Sequence, residues 1–275
     1  LHPRVRRQRQ MCIRDRPYEQ AVDELKVKLK SIRKEYRKRN EYSPIEFVTG
    51  RVKEVSSLLE KANKFEIPLD RVGEEMEDIA GIRIMCQFVD DIDTVIESIR
   101  ARKDMQILYE KDYVRNVKPS GYRSYHMIIK YTVYMADGPK PILAEFQIRT
   151  LAMNFWATIE HSLNYKYKQH IPKEIQDKLK LAADSAFNLD EQMLEIKDEI
   201  KDAQRLFEVK SDIITNIMNN IMTLMSLGKT GEASRYQVML NKLIEEGEVW
   251  ELNNLLDSIK PVSYTHLRAH ETLAN

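Results

Sequence analysis

The chain has 275 residues, 43% hydrophobic and 32% charged, which excludes a disordered polyelectrolyte and suits one large or two ordinary helix-rich domains. Lys+Arg 44 against Asp+Glu 43 leaves a formal charge of +1, unlike a protein whose main task is coating nucleic acid, and no apolar run reaches the length of a membrane span. The 8 glycines argue against a glycine-rich phosphate cradle, and Cys12 and Cys86 give neither a disulfide framework nor zinc-ligand spacing, so the setting reads as reducing and cytoplasmic.

Residues 1–16, with Met11-Cys12-Ile13-Arg14-Asp15-Arg16, and 262–275, with Val262-Ser263-Tyr264-Thr265-His266-Leu267, resemble translated adaptor sequence. Both are read as a non-native leader and tail and set aside. Cys86 then remains as a small buried hydrophobe. From Tyr18 to Asn40, Ala21, Val22, Leu25, Leu29 and Ile32 recur at helical spacing, opposite a stripe of Lys26, Lys30, Arg33 and Arg37. Ser43-Pro44-Ile45-Glu46 carries the signature of a helix start, with Ser43 as cap, Pro44 in the first turn and Glu46 closing a capping box, and the predicted helix runs towards Phe65.

The period then changes. Ile79 to Val89 is rich in β-branched and apolar residues and reads as an interior strand, Asp91 to Arg102 as a helix, and Met105–Tyr113, Ser124–Met135 and Ile142–Thr150 as strands. Asp137-Gly138 marks a hairpin between the last two. Helices follow over Leu151–Tyr167 and Lys173–Phe207, with shorter pieces to Lys260. The expected fold is α+β, with a mixed, mainly antiparallel sheet of about five strands flanked by helices. The expected organisation is a domain over 17–207 and a helical extension over 208–261.

In Ile142–Arg149 the apolar residues alternate with Glu145, Gln147 and Arg149. A solvated sheet face is one reading. If the strand opened by Asp78 is its neighbour, however, two carboxylates converge beside Arg83 and Arg149, able to hold a hard cation and still approach phosphates. Gly121-Tyr122-Arg123-Ser124-Tyr125-His126 places a flat ring, a charge and an imidazole at a loop-to-strand junction, which suits a stacked base or an ordinary aromatic core. Gly228-Lys229-Thr230 mimics the end of a P-loop, but Thr223 stands where the first glycine belongs and the segment follows a helix.

Asp78-Ile79-Ala80-Gly81-Ile82-Arg83, Gly121-Tyr122-Arg123-Ser124-Tyr125-His126 and Glu145-Phe146-Gln147-Ile148-Arg149-Thr150, in that order, resemble the Rel/Spo synthetase domain. The runs from Ser43 to Lys53 and from Asn154 to Lys166 narrow the resemblance to small alarmone synthetases of the RelQ type, over Pro17 to Phe207. The resemblance implies a GTP pyrophosphokinase of the bacterial stringent response, without a hydrolase domain, that moves pyrophosphate from ATP to the 3′-hydroxyl of GTP or GDP and releases AMP. It assigns Asp78 and Glu145 to Mg²⁺ and catalysis, with Glu145 as base. Arg51, Lys53 and Arg83 fall to ATP, and Tyr122, His126, Gln147 and His161 to the guanine nucleotide. Lys26, Lys30, Arg33, Glu46, Phe47, Thr49 and Asn154 fall to an allosteric pppGpp site in a homotetramer. Phe146, where many relatives carry Ile or Val, is expected to face the core. The competing readings are another nucleotidyltransferase on the same sheet and a catalytically silent RNA-binding or scaffold protein.

Overall fold

The computed structural model describes residues 3–68, 71–167 and 172–259, and their side chains except those of 3–15, 165, 166 and 246. The tail 262–275 and the side chains of 3–15 therefore lie outside the described residues. The chain divides into two compact units, Leu1–Leu194 and Glu195–Asn275.

The first unit opens with α1 (Pro3–Lys38), whose apolar stripe of Ala21, Val22, Leu25 and Leu29 is buried as the spacing predicts. The next segment corrects the sequence reading. Ser43 caps no helix: its Oγ accepts from the Ile45 N–H at 3.2 Å and donates back to the Ile45 carbonyl at 3.1 Å, a closed local turn. The chain then enters β1 (Phe47–Val52), and helix appears only afterwards, as α2 (Val55–Lys64). Residues preceding proline avoid the helical region, and Phe-Val-Thr-Gly-Arg-Val is itself a β-prone run. Tertiary packing selects between the two signals. A Cβ on Gly50 would lie 2.8 Å from Val22 Cγ1 and 2.9 Å from Ile82 Cδ1, so α1 crosses directly over this strand.

After the short α3 (Val72–Glu75) come β2 (Ala80–Cys86), α4 (Val89–Arg100), β3 (Gln106–Asp112), β4 (Tyr125–Met135) and β5 (Gly138–Thr150). The sheet order is β1-β2-β5-β4-β3, with β2 and β5 parallel and every other pair antiparallel. The expected mixed, mainly antiparallel five-stranded sheet is what forms. Asp137-Gly138 turns the hairpin as predicted, with Gly138 at φ +116°, and pairing begins at once, so β5 starts four residues before Ile142.

One face of this sheet is apolar. Ile82, Ile84, Met127, Ile129, Ala144, Phe146 and Ile148 are fully buried there, in one cluster with α1 residues Leu25 and Leu29 and α4 residues Val95 and Ile99. Phe146 therefore does face the core. Cys86 is buried and free, its thiol pushed well up by burial. Behind β5, Thr150 caps α5 (Leu151–Lys166) by accepting from the Met153 N–H at 3.1 Å.

Beyond residue 172 the expected break at Phe207 does not occur. No glycine or proline interrupts α6 (Lys173–Ser226), and it ends where Gly228 takes φ +75°. The second unit buries Ile213, Ile217, Ile221 and Leu224 of α6 against Ala233 and Leu240 of α7 (Thr230–Glu246) and Leu252, Leu255, Leu256 and Ile259 of a last helix over 249–259. Gly228-Lys229-Thr230 joins two helices, as the sequence reading required. Among the described residues no helix is long and apolar enough to cross a membrane.

Candidate active site

The second sheet face is mainly polar, Met85 and Ile128 being buried exceptions, because strand alternation sends the residues flanking core residues to the other side. Register then aligns chemistry across strands: Arg51 opposite Gly81, Gly81 opposite Glu145, Arg83 opposite Gln147, and His126 opposite Gln147. The parallel β2–β5 pairing is what brings the Asp78 segment and Glu145 to one place, as the sequence reading required. A cleft of about 270 Å³ opens there, lined by Thr49, Gly50, Arg51, Lys53, Asp78, Gly81, Arg83, Glu145 and Gln147.

At one end of the cleft, Asp78 Oδ2 accepts from Lys53 Nζ at 2.6 Å and from Lys61 Nζ, on α2, at 2.9 Å. Burial pushes this carboxyl up, but the two ammonium groups prevail and hold it below its ordinary value. Its other oxygen, Oδ1, is buried and has no hydrogen-bond partner among the described residues. Arg83 is pulled below its ordinary value by burial and then by the neighbouring charges of Arg149 and Arg51. Cations packed together against a half-buried wall repel one another, so the cleft carries a potential that a polyanion would relieve.

The other end is a hydrogen-bonded network around Glu145. His126 Nδ1 lies 2.8 Å from Glu145 Oε1, and Gln147 Nε2 donates to Oε2 at 2.7 Å. Burial raises the Glu145 carboxyl, His126 and Gln147 lower it, and the net effect is downward, so it stands ionised at neutral pH. The Tyr122 hydroxyl lies 2.8 Å from His126 Nε2. Around the Tyr122 ring, Tyr113 packs edge-on at 6.2 Å, and the Lys118 ammonium sits 4.8 Å from the ring centroid and 4.2 Å from that of Tyr113. Gly121, at φ +87°, seats this loop against α6: a Cβ there would fall 2.6 Å from Ala183 Cβ.

Asp78, Glu145, Arg51, Lys53, Arg83 and Gln147 thus share one cleft, and Tyr122 and His126 join it through Glu145. His161 is exposed on α5 and lines no part of that cleft. Of the residues assigned to an allosteric site, Arg33 and Glu46 pair at 3.0 Å, and Gln87 Nε2 donates to the second Glu46 oxygen at 2.8 Å. Lys26 pairs with Asp23 at 3.2 Å, and Lys30 is exposed on α1. Phe47 and Thr49 are exposed on β1 and alternate with Val48 and Gly50, the residues that meet α1. Asn154 lies on α5, its Oδ1 buried and without a hydrogen-bond partner among the described residues.

Three groups escaped the sequence reading. Lys61 reaches Asp78 from α2, and Lys118 and Tyr113 frame Tyr122. Lys118 stands four residues before Tyr122 in the same loop, a spacing that could have flagged it; nothing in sequence ties Lys61 to Asp78.

Residues 50–170 match the region found in RelA/SpoT proteins. The chain is 56% identical over 194 residues to GTP pyrophosphokinase YjbM of Bacillus subtilis, covering 70% of this chain and 92% of that protein. It superposes with a TM-score of 0.65 and 57% identity on small alarmone synthetase 1 from Bacillus subtilis bound to its product pppGpp, covering 67% of this chain and 94% of that one. With the same synthetase bound to AMPCPP the TM-score is 0.60 at 53% identity, covering 68% of this chain and 94% of that one. This degree of likeness over nearly the whole of a small relative places the chain in the RelA/SpoT family, among its small GTP pyrophosphokinases.

Proposed function

We propose that the chain makes (p)ppGpp by transferring the β,γ-pyrophosphoryl group of ATP to the 3′-hydroxyl of GTP or GDP. The ribose O3′–Pβ bond forms, the Pβ–O bond to the α-phosphate breaks, the hydroxyl proton passes to Glu145, and AMP leaves. The observation that carries this reading is an ionised, doubly hydrogen-bonded Glu145 in the same cleft as Arg51, Lys53, Arg83 and Asp78. Phosphoryl chemistry of this kind needs little beyond in-line placement, a base within reach of the nucleophile and cations on the phosphates.

The donor set suits Mg²⁺. Asp78 Oδ1 is a hard oxygen without a hydrogen-bond partner among the described residues, and Glu145 is a second carboxylate on the same cleft. Mg²⁺ is commonly held by one or two carboxylates together with substrate phosphates, so a larger cage is not required. When bound, the ion would neutralise charge on the transferred group. The chain's own part is to seat ATP on Arg51, Lys53 and Arg83, to stack guanine on Tyr122 beside His126, Gln147 and His161, and to receive the proton at Glu145.

The allosteric assignment belongs to the same proposal. Within one chain Lys26 and Lys30 lie on α1 while Phe47 and Thr49 point away from it, so a site built from more than one copy would gather cations and aromatic ring around pppGpp. We therefore read the enzyme as an allosteric, cytoplasmic homotetramer activated by its product. The Bacillus subtilis relative bound to pppGpp supports a seat for that nucleotide.

The test is purified chain with Mg²⁺, ATP and GTP or GDP, with products separated by charge. AMP together with (p)ppGpp is the expected result. Release of inorganic pyrophosphate from ATP instead would point to nucleotidyl transfer. RNA binding without any turnover would point to the silent scaffold.

A further inference from the structure

We propose that Arg149 is the positioning residue of this site, holding Glu145 in its working orientation through two separate arms without touching it. The proposal rests on the synthetase reading above. Arg149 is 4% exposed, and its hydrogen bonds among the described residues go to neutral groups. Nη2 donates to the Tyr122 hydroxyl oxygen at 2.8 Å and to Gln147 Oε1 at 2.5 Å, while Nε donates to Ser124 Oγ at 3.2 Å. A buried guanidinium held for stability alone would ordinarily be paired with a carboxylate.

The chemistry of the guanidinium sets the polarity of both arms. It carries only donors and keeps its charge, so the Tyr122 oxygen and Gln147 Oε1 must accept from it. Gln147 then has its amide nitrogen left for Glu145 Oε2, which lies 2.7 Å away. The Tyr122 hydroxyl proton is left to point at His126 Nε2, 2.8 Å away, which puts the imidazole proton on Nδ1, facing Glu145 Oε1. Without Arg149 the far ends of both arms, Gln147 Oε1 and the Tyr122 oxygen, lose their buried donor, and only the carboxylate's own demand for N–H groups still faces Gln147 and His126 towards it. Both side chains are then free to swing, and Glu145 loses the fixed donors that set its orientation. The ring proposed to stack on guanine also carries one arm, so the acceptor's seat and the base share a strut.

The experiment compares Arg149→Met, Arg149→Lys, Tyr122→Phe and the Arg149→Met/Tyr122→Phe double variant in the full chain. Steady-state kinetics are measured for both nucleotides, and thermal unfolding confirms folded protein. Arg149→Met should lower kcat about 10²-fold, the scale of a small misplacement of a reacting group, with the KM for ATP within about threefold of wild type. Arg149→Lys, which offers donors without the planar fork, should fall between the two. Tyr122→Phe keeps the ring and removes one arm, so kcat should drop about tenfold while the KM for the guanine nucleotide stays within about twofold. The double variant should lose little beyond Arg149→Met alone, because the first arm is already slack; a purely structural arginine would give additive losses. Strict additivity overturns the positioning role, and so, even if Arg149→Met does not fold, does wild-type kcat in both Arg149→Lys and Tyr122→Phe. A wild-type chain that makes no (p)ppGpp overturns the synthetase reading, and the positioning role with it.

Discussion

Asp190 offers a stability test of how α6 is held against the site. It is 5% exposed, and its Oδ2 accepts from the Thr150 hydroxyl at 2.5 Å; that same hydroxyl caps α5 one residue after Arg149. Burial raises the Asp190 carboxyl from 3.8 to about 6, against the opposing influence of Thr150 and Arg123. A raised folded-state value means that the folded chain prefers the protonated form. The associated stability is therefore complete below about pH 4 and is lost as the pH climbs through about 6. At ~1.4 kcal/mol for each pH unit the ceiling is about 3 kcal/mol, and local relaxation and water entry reduce it to roughly 1–2 kcal/mol. Asp190→Asn keeps an acceptor for Thr150 and cannot ionise. Its thermal midpoint should match wild type near pH 4 and exceed it by roughly 2–8 °C at pH 8. The assay is thermal unfolding of both proteins across that range, with the difference plotted against pH so that all other titrations cancel. A difference that does not change with pH, or an asparagine variant less stable at pH 8, would show that the Asp190 carboxyl is not held protonated by burial.

Glu145→Gln should fold normally yet lose about 10²–10⁴ in turnover, and Asp78→Asn should fail with partial recovery at raised Mg²⁺ or Mn²⁺; near-normal product formation by folded Glu145→Gln removes it from the mechanism. Tyr122→Ala should raise the KM for the guanine nucleotide by the roughly 1–3 kcal/mol of one stacked base, whereas Arg51→Ala and Arg83→Ala should weaken ATP; initial rates showing the opposite pattern would exchange the two seats. Lys26→Ala with Lys30→Ala should abolish stimulation by added pppGpp and leave basal synthesis intact, a coupling of about 1–3 kcal/mol read from activation curves; undiminished stimulation leaves that stripe a solvated face. Gly121→Ala places a Cβ 2.6 Å from that of Ala183 at a φ of +87°, so it should displace the Tyr122 loop and raise the KM for the guanine nucleotide more than that for ATP; an unchanged ratio of the two would show that the loop is not held by α6.

The segment from Ser43 to Phe65 shows where local reading stops. Ser-Pro-Ile-Glu has the side chains of a helix start, and residues 47–52 have the propensities of a strand, so the choice passed to long-range pairing with β2 and the close passage of α1 over Gly50. The length of α6 was available in sequence, since nothing between Lys173 and Ser226 breaks a helix. Lys61 was not, because its contact with Asp78 joins α2 to a loop beyond it and leaves no periodic trace.

Alternation and motif order alone determined that a mainly antiparallel sheet would present Glu145 and Gln147 on the face opposite Phe146, because successive strand residues must point to opposite sides. They also determined that Asp78 and Arg83 would belong to the same chemistry if their strand lay beside it. The folded chain settles that it does, through the parallel register that sets Gly81 opposite Glu145. It alone decided which donors face the base. Arg149, Tyr122, His126 and Gln147 are separated along the chain by spacings that fix no hydrogen-bond direction, and only when β4 and β5 lie side by side does the donor-only guanidinium orient the others.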